Sequence, residues 1–264
     1  MNPKSKSAAI NGRLWGARAQ DWAEIQEAQF RTGYEAVFAR VGLGRGAKYC
    51  DIGCGSGMAA QIAAELGAEV SGLDASETLL AIARERVQPS DFRLGEMEDL
   101  PFPEGFFDVV TGFNAFQYAS DPVRALAEAK RIAKPDGQLV VMTWGTPAGM
   151  PAASLLAALK PLLPPPPPGA PGPFALSEES ALRDFASQAG LQTIEVKDVN
   201  CEWFYADLPT ALRGLGSSGV AMRARENSSA AAVDQAHETA LAPFRQPDGA
   251  FRIGATYRWL IGRP

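Results

Sequence analysis

The segment Tyr49-Cys50-Asp51-Ile52-Gly53-Cys54-Gly55-Ser56-Gly57 constrains this chain more than any other. A short apolar strand meets an acidic residue, and glycines then occupy alternate positions ahead of a helical stretch. Glycine permits positive φ and lets backbone come closer to a ligand than a Cβ would allow. Spacing decides what the turn can hold. A dinucleotide fingerprint, Gly-x-Gly-x-x-Gly, needs its third glycine at position 58, where this chain has Met58; here it falls at Gly57. The turn therefore suits a nucleoside better than a pyrophosphate.

The elements that follow keep a regular order. Strands are expected at 48–52, 69–73, 91–94, Phe107–Phe113 and 138–144. Helices are expected at 58–66, 77–87 and 122–133. Gly67 is a suitable helix terminator, Ser76 a suitable N-cap, and Asp121-Pro122 an N-cap followed by proline at the first helical position. Strands alternating with helices predict parallel pairing and crossover connections. Ahead of them, residues 14–41 read as helical, with Trp15, Trp22, Ile25, Phe30, Tyr34 and Phe38 among polar residues. Prolines crowd residues 161–173 and break the rhythm of 145–176, either as a stiff surface excursion or as a lid over the carboxyl ends of the strands. Beyond it, a helix at 178–189, a strand at 191–205, two helical stretches within 207–244 and a strand at 250–262 are expected.

Composition narrows the classes of function. A chain of 264 residues accommodates one large α/β domain or two small ones, and 46% apolar residues supply a full core. The net charge of −5 disfavours nucleic acid as a partner, since phosphate contacts need a basic face. No apolar run has the length of a membrane span, and the N-terminus lacks a signal-peptide pattern. Cys50, Cys54 and Cys201 have no zinc-ligand spacing, so no metal site is expected and reduced cysteines in a cytoplasmic setting are. The single histidine, His237, excludes a multi-histidine metal centre.

Five segments in this order resemble the class I S-adenosylmethionine-dependent methyltransferases, in particular the small-molecule branch related to ubiquinone and menaquinone methyltransferases. Asp51-Ile52-Gly53-Cys54-Gly55-Ser56-Gly57 resembles the first motif, which wraps the methionine end of the cofactor. Asp74, with Ala75 after it, matches the acidic residue whose carboxylate accepts both ribose hydroxyls. Glu96-Met97-Glu98-Asp99-Leu100-Pro101-Phe102 resembles the adenine loop, with Glu96 and Met97 departing from the usual Asp-Ala. Asn114, with Gln117 beyond it, ends the fourth strand facing the sulfonium, and Arg131-Ile132-Ala133-Lys134-Pro135-Asp136-Gly137 resembles the turn before strand five.

The resemblance implies a Rossmann-like α/β fold: a seven-stranded, mostly parallel sheet with helices on both faces, a helical N-terminal cap and inserted lid segments. It implies one domain over 1–264, with a cap at 1–45, a cofactor core at 46–144, and the proline-rich insertion, substrate-side helices and last strands at 145–264. The implied cofactor is S-adenosyl-L-methionine, and Arg18 in the cap is available to its methionine carboxylate. The implied activity is methyl transfer by in-line displacement to a small, partly apolar acceptor, in a cavity formed by Phe113, Phe116, Tyr118, Trp144 and residues 201–205.

A catalytic residue is not readable from the motifs. His237 shares an apolar helix face with Val233 and Leu241, the setting of a packing residue, yet it is the sole imidazole available as a general base. Three rival functions carry different signatures. A nicotinamide oxidoreductase needs the other glycine spacing. A non-catalytic regulator on the same fold tends to lose the acidic residues and glycines kept here. An RNA or protein methyltransferase is disfavoured by the acidic balance.

Overall fold

The computed structural model describes residues 7–165 and 172–264. The chain opens with helix α1 (Ser7–Gly16) and the short α2 (Ala19–Asp21). A wide π turn, Trp22–Gln26, and a 3₁₀ turn, Glu27–Phe30, lead into α3 (Arg31–Val41). The expected single helical reading of 14–41 is thus broken into pieces, which turn Trp22 and Glu27 toward the sheet. Then come β1 (Lys48–Ile52), α4 (Met58–Glu65), β2 (Glu69–Asp74), α5 (Glu77–Arg86), β3 (Asp91–Leu94), β4 (Phe107–Phe113), α6 (Pro122–Ile132) and β5 (Ala133–Trp144). The final part comprises α7 (Pro151–Ala157), α8 (Glu179–Gln188), β6 (Gln192–Tyr205), α9 (Leu208–Leu215), α10 (Gly219–Asn227), α11 (Ala230–Leu241) and β7 (Phe251–Arg263).

Seven strands form one sheet in the order β3-β2-β1-β4-β5-β7-β6. β1 to β5 pair in parallel, while β7 runs antiparallel between β5 and β6. Two expectations change. The Lys134-Pro135-Asp136-Gly137 turn lies within β5, because Phe107 pairs with Ala133 and the ladder slips before Val109 meets Gln138. The region 207–244 holds three helices rather than two, separated by serines: Ser218 and Ser229 each accept a backbone N–H two positions into the next helix.

Side chains alternate across the sheet with the period of two that strands impose. On β5, Val140, Met142 and Trp144 enter one apolar cluster with α3 and α4, while Leu139 and Val141 enter the other with α6 and α8. Along β7, alternate residues from Phe251 to Ile261 are buried on the first face, and Arg252 and Arg258 lie on the other. Caps fix the helix starts. Ser76 Oγ accepts from Leu79 N at 3.3 Å and Asp121 Oδ1 from Arg124 N at 3.2 Å. Gly42, at φ 67°, ends α3 in the left-handed region.

One buried ion pair ties the N-terminal segment to this core. Glu27, 3% exposed, accepts from Ser56 Oγ at 2.6 Å and from Met58 N at 3.3 Å, and pairs with Arg86 of α5. Arg86 also donates to Ser56 O at 2.9 Å and Ala23 O at 2.7 Å. Burial pushes the Glu27 carboxyl above its ordinary value against the pull of Arg86 and Ser56. Glu27→Ala would leave Arg86 without its charge partner, a loss of roughly 3 kcal/mol. Glu27→Gln keeps an oxygen for Ser56 and Met58 and is expected to lose less; urea unfolding of the two variants measures the difference.

Candidate functional site

A cavity opens at the carboxyl ends of β1, β2 and β4, where open α/β sheets hold their ligands. The empty space within it is about 1290 Å³, counting the open solvent at its mouth. Its wall is made of two chemically different sets of residues.

The first set is polar and comes from the strand ends. Gly53, Gly55, Asp74, Ala75, Glu96, Met97 and Asn114 all line the cavity. Gly53 takes φ 73°, and a Cβ there would lie 2.6 Å from the Ala115 methyl, so only bare backbone fits. Asp74, partly buried, accepts from Gly55 N at 2.9 Å on one oxygen and Ser76 N at 2.8 Å on the other. A carboxylate offers about four lone-pair directions, so each oxygen retains one for a ligand. Glu96 accepts Ala8 N at 3.1 Å, which draws α1 across the opening, and Ser7, Ala8, Asn11 and Trp15 form part of the wall. Asn114 is the one non-glycine at positive φ among the described residues, at 51°. Asparagine tolerates that region, and such outliers concentrate at functional sites. Its N–H still donates to Met142 O at 2.8 Å, so the backbone turns without leaving the sheet.

The second set is apolar. Phe30, Tyr34, Phe113, Trp144 and Trp203 present aromatic faces, joined by Leu155 and Leu159 from the excursion after β5 and by Leu215, Val220 and His237 from the last helices. Trp144 and Trp203 lie 5.7 Å apart, and Trp203 Nε1 donates to Tyr257 Oη at 3.0 Å. Trp15 meets Trp22 edge to face at 5.0 Å and Tyr118 at 5.4 Å. Burial pushes the Tyr118 phenol up to about 12. Of the proline tract at 161–173, read from the sequence as a stiff surface excursion or a lid, residues 166–171 lie outside the described residues.

The other residues picked out from the sequence sit beside this wall rather than on it. Asp51, 2% exposed, lies under the turn and accepts from Thr111 Oγ1 at 2.8 Å, in a chain that includes Tyr49 Oη. Cys54 is buried behind the glycines, Ser56 is tied to Glu27, and Gly57 caps α4. Arg18 pairs with Asp21 at 2.7 Å. Glu98 Oε1 accepts from Ser120 N at 2.7 Å, and Gln117 donates to Asn114 Oδ1 at 3.4 Å. Of the aromatic residues named for the acceptor cavity, Phe113, Tyr118, Trp144 and Trp203 line it; Phe116 packs on the other face of the sheet against Phe185. Glu27 and Arg86 were missed. A lone glutamate among Trp22, Ile25 and Phe30 was the available signal, but its partner is distant in sequence.

The polar wall is short of positive charge. Burial, first, and then the charges of Glu27 and Asp74 push the Asp51 carboxyl up to about 8, although Thr111 and Tyr49 hold it down. Burial likewise raises Asp74, with Glu27 adding to it and backbone N–H groups opposing. Arg86 is the cation built into this group, and it already serves Glu27. Among the described residues, no group of three or more His, Cys, Asp or Glu is placed to hold a metal ion, and no helix is long and apolar enough to cross a membrane.

The open α/β sheet with its antiparallel seventh strand has the fold of solved methyltransferase structures. Residues 50–141 match the family described as a methyltransferase domain. The chain is similar to a ubiquinone biosynthesis O-methyltransferase of Xanthomonas oryzae pv. oryzae, 34% identical over 149 residues, 54% of this chain and 61% of that one. It is also similar to a demethylmenaquinone methyltransferase of Renibacterium salmoninarum, 34% identical over 119 residues, 45% of this chain and 50% of the relative. The chain thus spans between half and two thirds of the length of these relatives. Among solved structures, a protein of Bacillus halodurans C-125 assigned to the methyltransferases superposes with a TM-score of 0.58 at 15% identity, over 87% of this chain and 97% of that one, a likeness of fold.

Gly53→Ala should destabilise the chain by about 3 kcal/mol, combining left-handed strain with a clash at Ala115. Gly42→Ala is the control: its φ is 67°, but nothing lies within 4 Å of the added Cβ, so roughly 1–2 kcal/mol of strain alone is expected. Thermal or urea unfolding of the pair separates the two contributions.

Proposed function

We propose that this chain transfers a methyl group from S-adenosyl-L-methionine to a small, largely apolar organic acceptor. One observation carries the reading: a bare-backbone glycine turn, with the Asp74 carboxylate beside it and Asp51 and Glu27 buried behind it, opens onto an aromatic cavity. The charge discriminates between ligands. The Asp74 carboxylate at the turn, with Arg86 already paired to Glu27, opposes a dinucleotide's pyrophosphate and favours a ligand bearing a cation. The donor fits on this ground and on two others, the unused lone pairs of Asp74 and the absence of any side chain at Gly53 and Gly55. The names of the relatives point the same way.

When bound, the donor supplies a methyl group on a positively charged sulfur. The chain's own part is to hold and to exclude. Asp74 accepts the ribose hydroxyls, Glu96 and Met97 flank the adenine, and the backbone from Gly53 to Gly55 supports the methionine end. Trp15 and α1 cover the bound molecule. Phe113, Trp144 and Trp203 seat the acceptor and keep water out, and holding two reactants in line supplies much of the acceleration such a transfer needs. The reading includes a single domain over 1–264 whose last helices serve the acceptor.

Two measurements test the donor. Titration calorimetry should register binding of S-adenosylhomocysteine and none of NADH, and Asp74→Ala should weaken the former by roughly 1.5–3 kcal/mol. Unchanged affinity in that variant would mean that the ribose lies elsewhere. The second measurement is proton linkage. Ionised Asp51 attracts a cation, so a bound cation lowers the carboxyl from about 8 and expels its proton. Affinity for S-adenosylmethionine should therefore rise from pH 6 to pH 8 and level off above. Calorimetry in buffers of different ionisation enthalpy should register proton release, which Asp51→Asn removes.

A further inference from the structure

Gln26 stands at the cavity wall with one end of its carboxamide bonded and the other unpartnered. It closes the π turn Trp22–Gln26, and such turns recur at functional sites. Trp22 and Gln26 line the cavity, while Glu27, next in the chain, meets Ser56 and Arg86. Gln26 is 4% exposed, and Tyr205 Oη donates to its Oε1 at 2.8 Å. Tyr205 is itself buried at the end of β6, so this bond fixes which way the carboxamide faces. Its Nε2 keeps two N–H groups with no partner among the described residues. That nitrogen is not sealed in. Among the described residues, the side-chain polar atoms both sealed and unpartnered are Glu98 Oε2, Thr143 Oγ1, Arg225 Nε and His237 Nδ1. Gln26 Nε2 is not one of them, so it has surface open to the cavity that its residue lines. A donor in so buried a residue normally has a partner, and here the ligand can bring it.

We propose that Gln26 determines which acceptors bind: Nε2 donates a hydrogen bond to a carbonyl oxygen on a flat, mainly apolar molecule. The proposal rests on the methyl-transfer reading and adds a specificity-determining residue and the group it recognises. Position assigns Gln26 to the acceptor. Its carboxamide packs against Tyr205 and Gly214 of α9, and Trp203 and Leu215, two residues away on β6 and next on α9, belong to the apolar wall. The strand-end residues Gly53, Asp74 and Glu96, which serve the donor, belong to the other set.

The chemistry of the wall selects the carbonyl. An amide NH2 only donates, so its partner must bring lone pairs. Among the described residues no lysine or arginine lines the cavity, whereas Asp74 and Glu96 do, so a carboxylate would enter without a cation to meet it. A carbonyl oxygen is a strong acceptor without charge. Aromatic faces of Phe113, Trp144 and Trp203 receive the flat body around it. The pair that aims the donor is itself built in: a Cβ on Gly214 would lie 3.1 Å from both Gln26 Oε1 and the Tyr205 ring, so glycine there admits both. A molecule without the carbonyl leaves the N–H groups unpaired, and such a site rejects the analogue more sharply than an apolar wall can.

Two probes of one shape test the contact. 7-Hydroxy-1-tetralone carries a ketone where 5,6,7,8-tetrahydro-2-naphthol has a methylene. With S-adenosylhomocysteine bound, calorimetry should show wild type binding the ketone about tenfold more tightly, as one hydrogen bond to an otherwise unpaired donor allows. Gln26→Leu alone would strand Tyr205 Oη, so it is combined with Tyr205→Phe, which makes both partners apolar. This double variant should bind S-adenosylhomocysteine within twofold of wild type and the two probes within threefold of each other. In infrared spectra the carbonyl stretch of the bound ketone should lie at lower frequency in wild type than in the variant. Equal affinity of wild type for both probes, no binding of the ketone, a preference that survives in the variant, or one stretch in both proteins would each overturn the proposal. If the variant does not fold, the wild-type spectrum decides alone, and a stretch at its alkane-solution frequency overturns the contact. Failure of S-adenosylhomocysteine to bind would instead strike the donor reading; its own titration detects that, and the probes are then compared without it.

Discussion

The buried carboxylate of Glu27 is the contact on which the site depends. It joins three pieces of chain that do not otherwise specify one another: the irregular N-terminal segment, the glycine turn after β1 through Ser56 and Met58, and α5 through Arg86. An isolated charge in that place would be prohibitive, so Arg86 is obligatory, and Arg86 in turn binds Ala23 O and Ser56 O. The geometry this enforces turns Trp22 inward beneath Trp15 and carries α1 over the cavity. This ion pair, together with the bond from Ala8 N to Glu96, ties the roof of the cavity to its floor.

The same carboxylate helps to set the charge of the site. Asp51 lies under the turn because alternation along β1 sends it to the face that holds Tyr49 and Thr111, and its burial there is what keeps its proton on. Asp74 is held in place by Gly55 N and Ser76 N, so the group that faces the ligand is oriented before the ligand arrives. In an interior of low effective dielectric an ionised carboxylate acts strongly on a bound cation. The aromatic wall adds exclusion of water. Selection by charge at one part of the wall and by shape at the other matches a reaction between a cationic donor and an apolar acceptor.

Much of this was legible in the sequence because it is local. The glycine spacing, the capping serine and aspartate and the periods of β1 to β4 are each written in a few adjacent residues, and the strands fall within a residue or so of their expected ends. What was not legible depends on distant pairing. The antiparallel insertion of β7 between β5 and β6 needs partners far along the chain. The entry of residues 133–137 into β5 follows from Phe107 pairing with Ala133, which no turn signal reveals. Phe116 and Phe113 look alike in the sequence, but the 3₁₀ turn after Asn114 sends Phe116 to the opposite face. Arg18 sits at helical spacing from Trp15 and Trp22, yet the break after α1 leaves it with Asp21. For His237 the sequence offered both a packing residue and a base, and it lies buried between Val233 and Leu241 at the cavity wall.

The most direct measurement is a crystal structure of the chain with S-adenosylhomocysteine bound. The account predicts the ribose hydroxyls on Asp74, the methionine end against the backbone of Gly53 and Gly55, and the sulfur facing the space between Asn114 and the aromatic wall that includes His237. A ligand whose ribose avoids Asp74, or whose sulfur points away from that aromatic space, would contradict it.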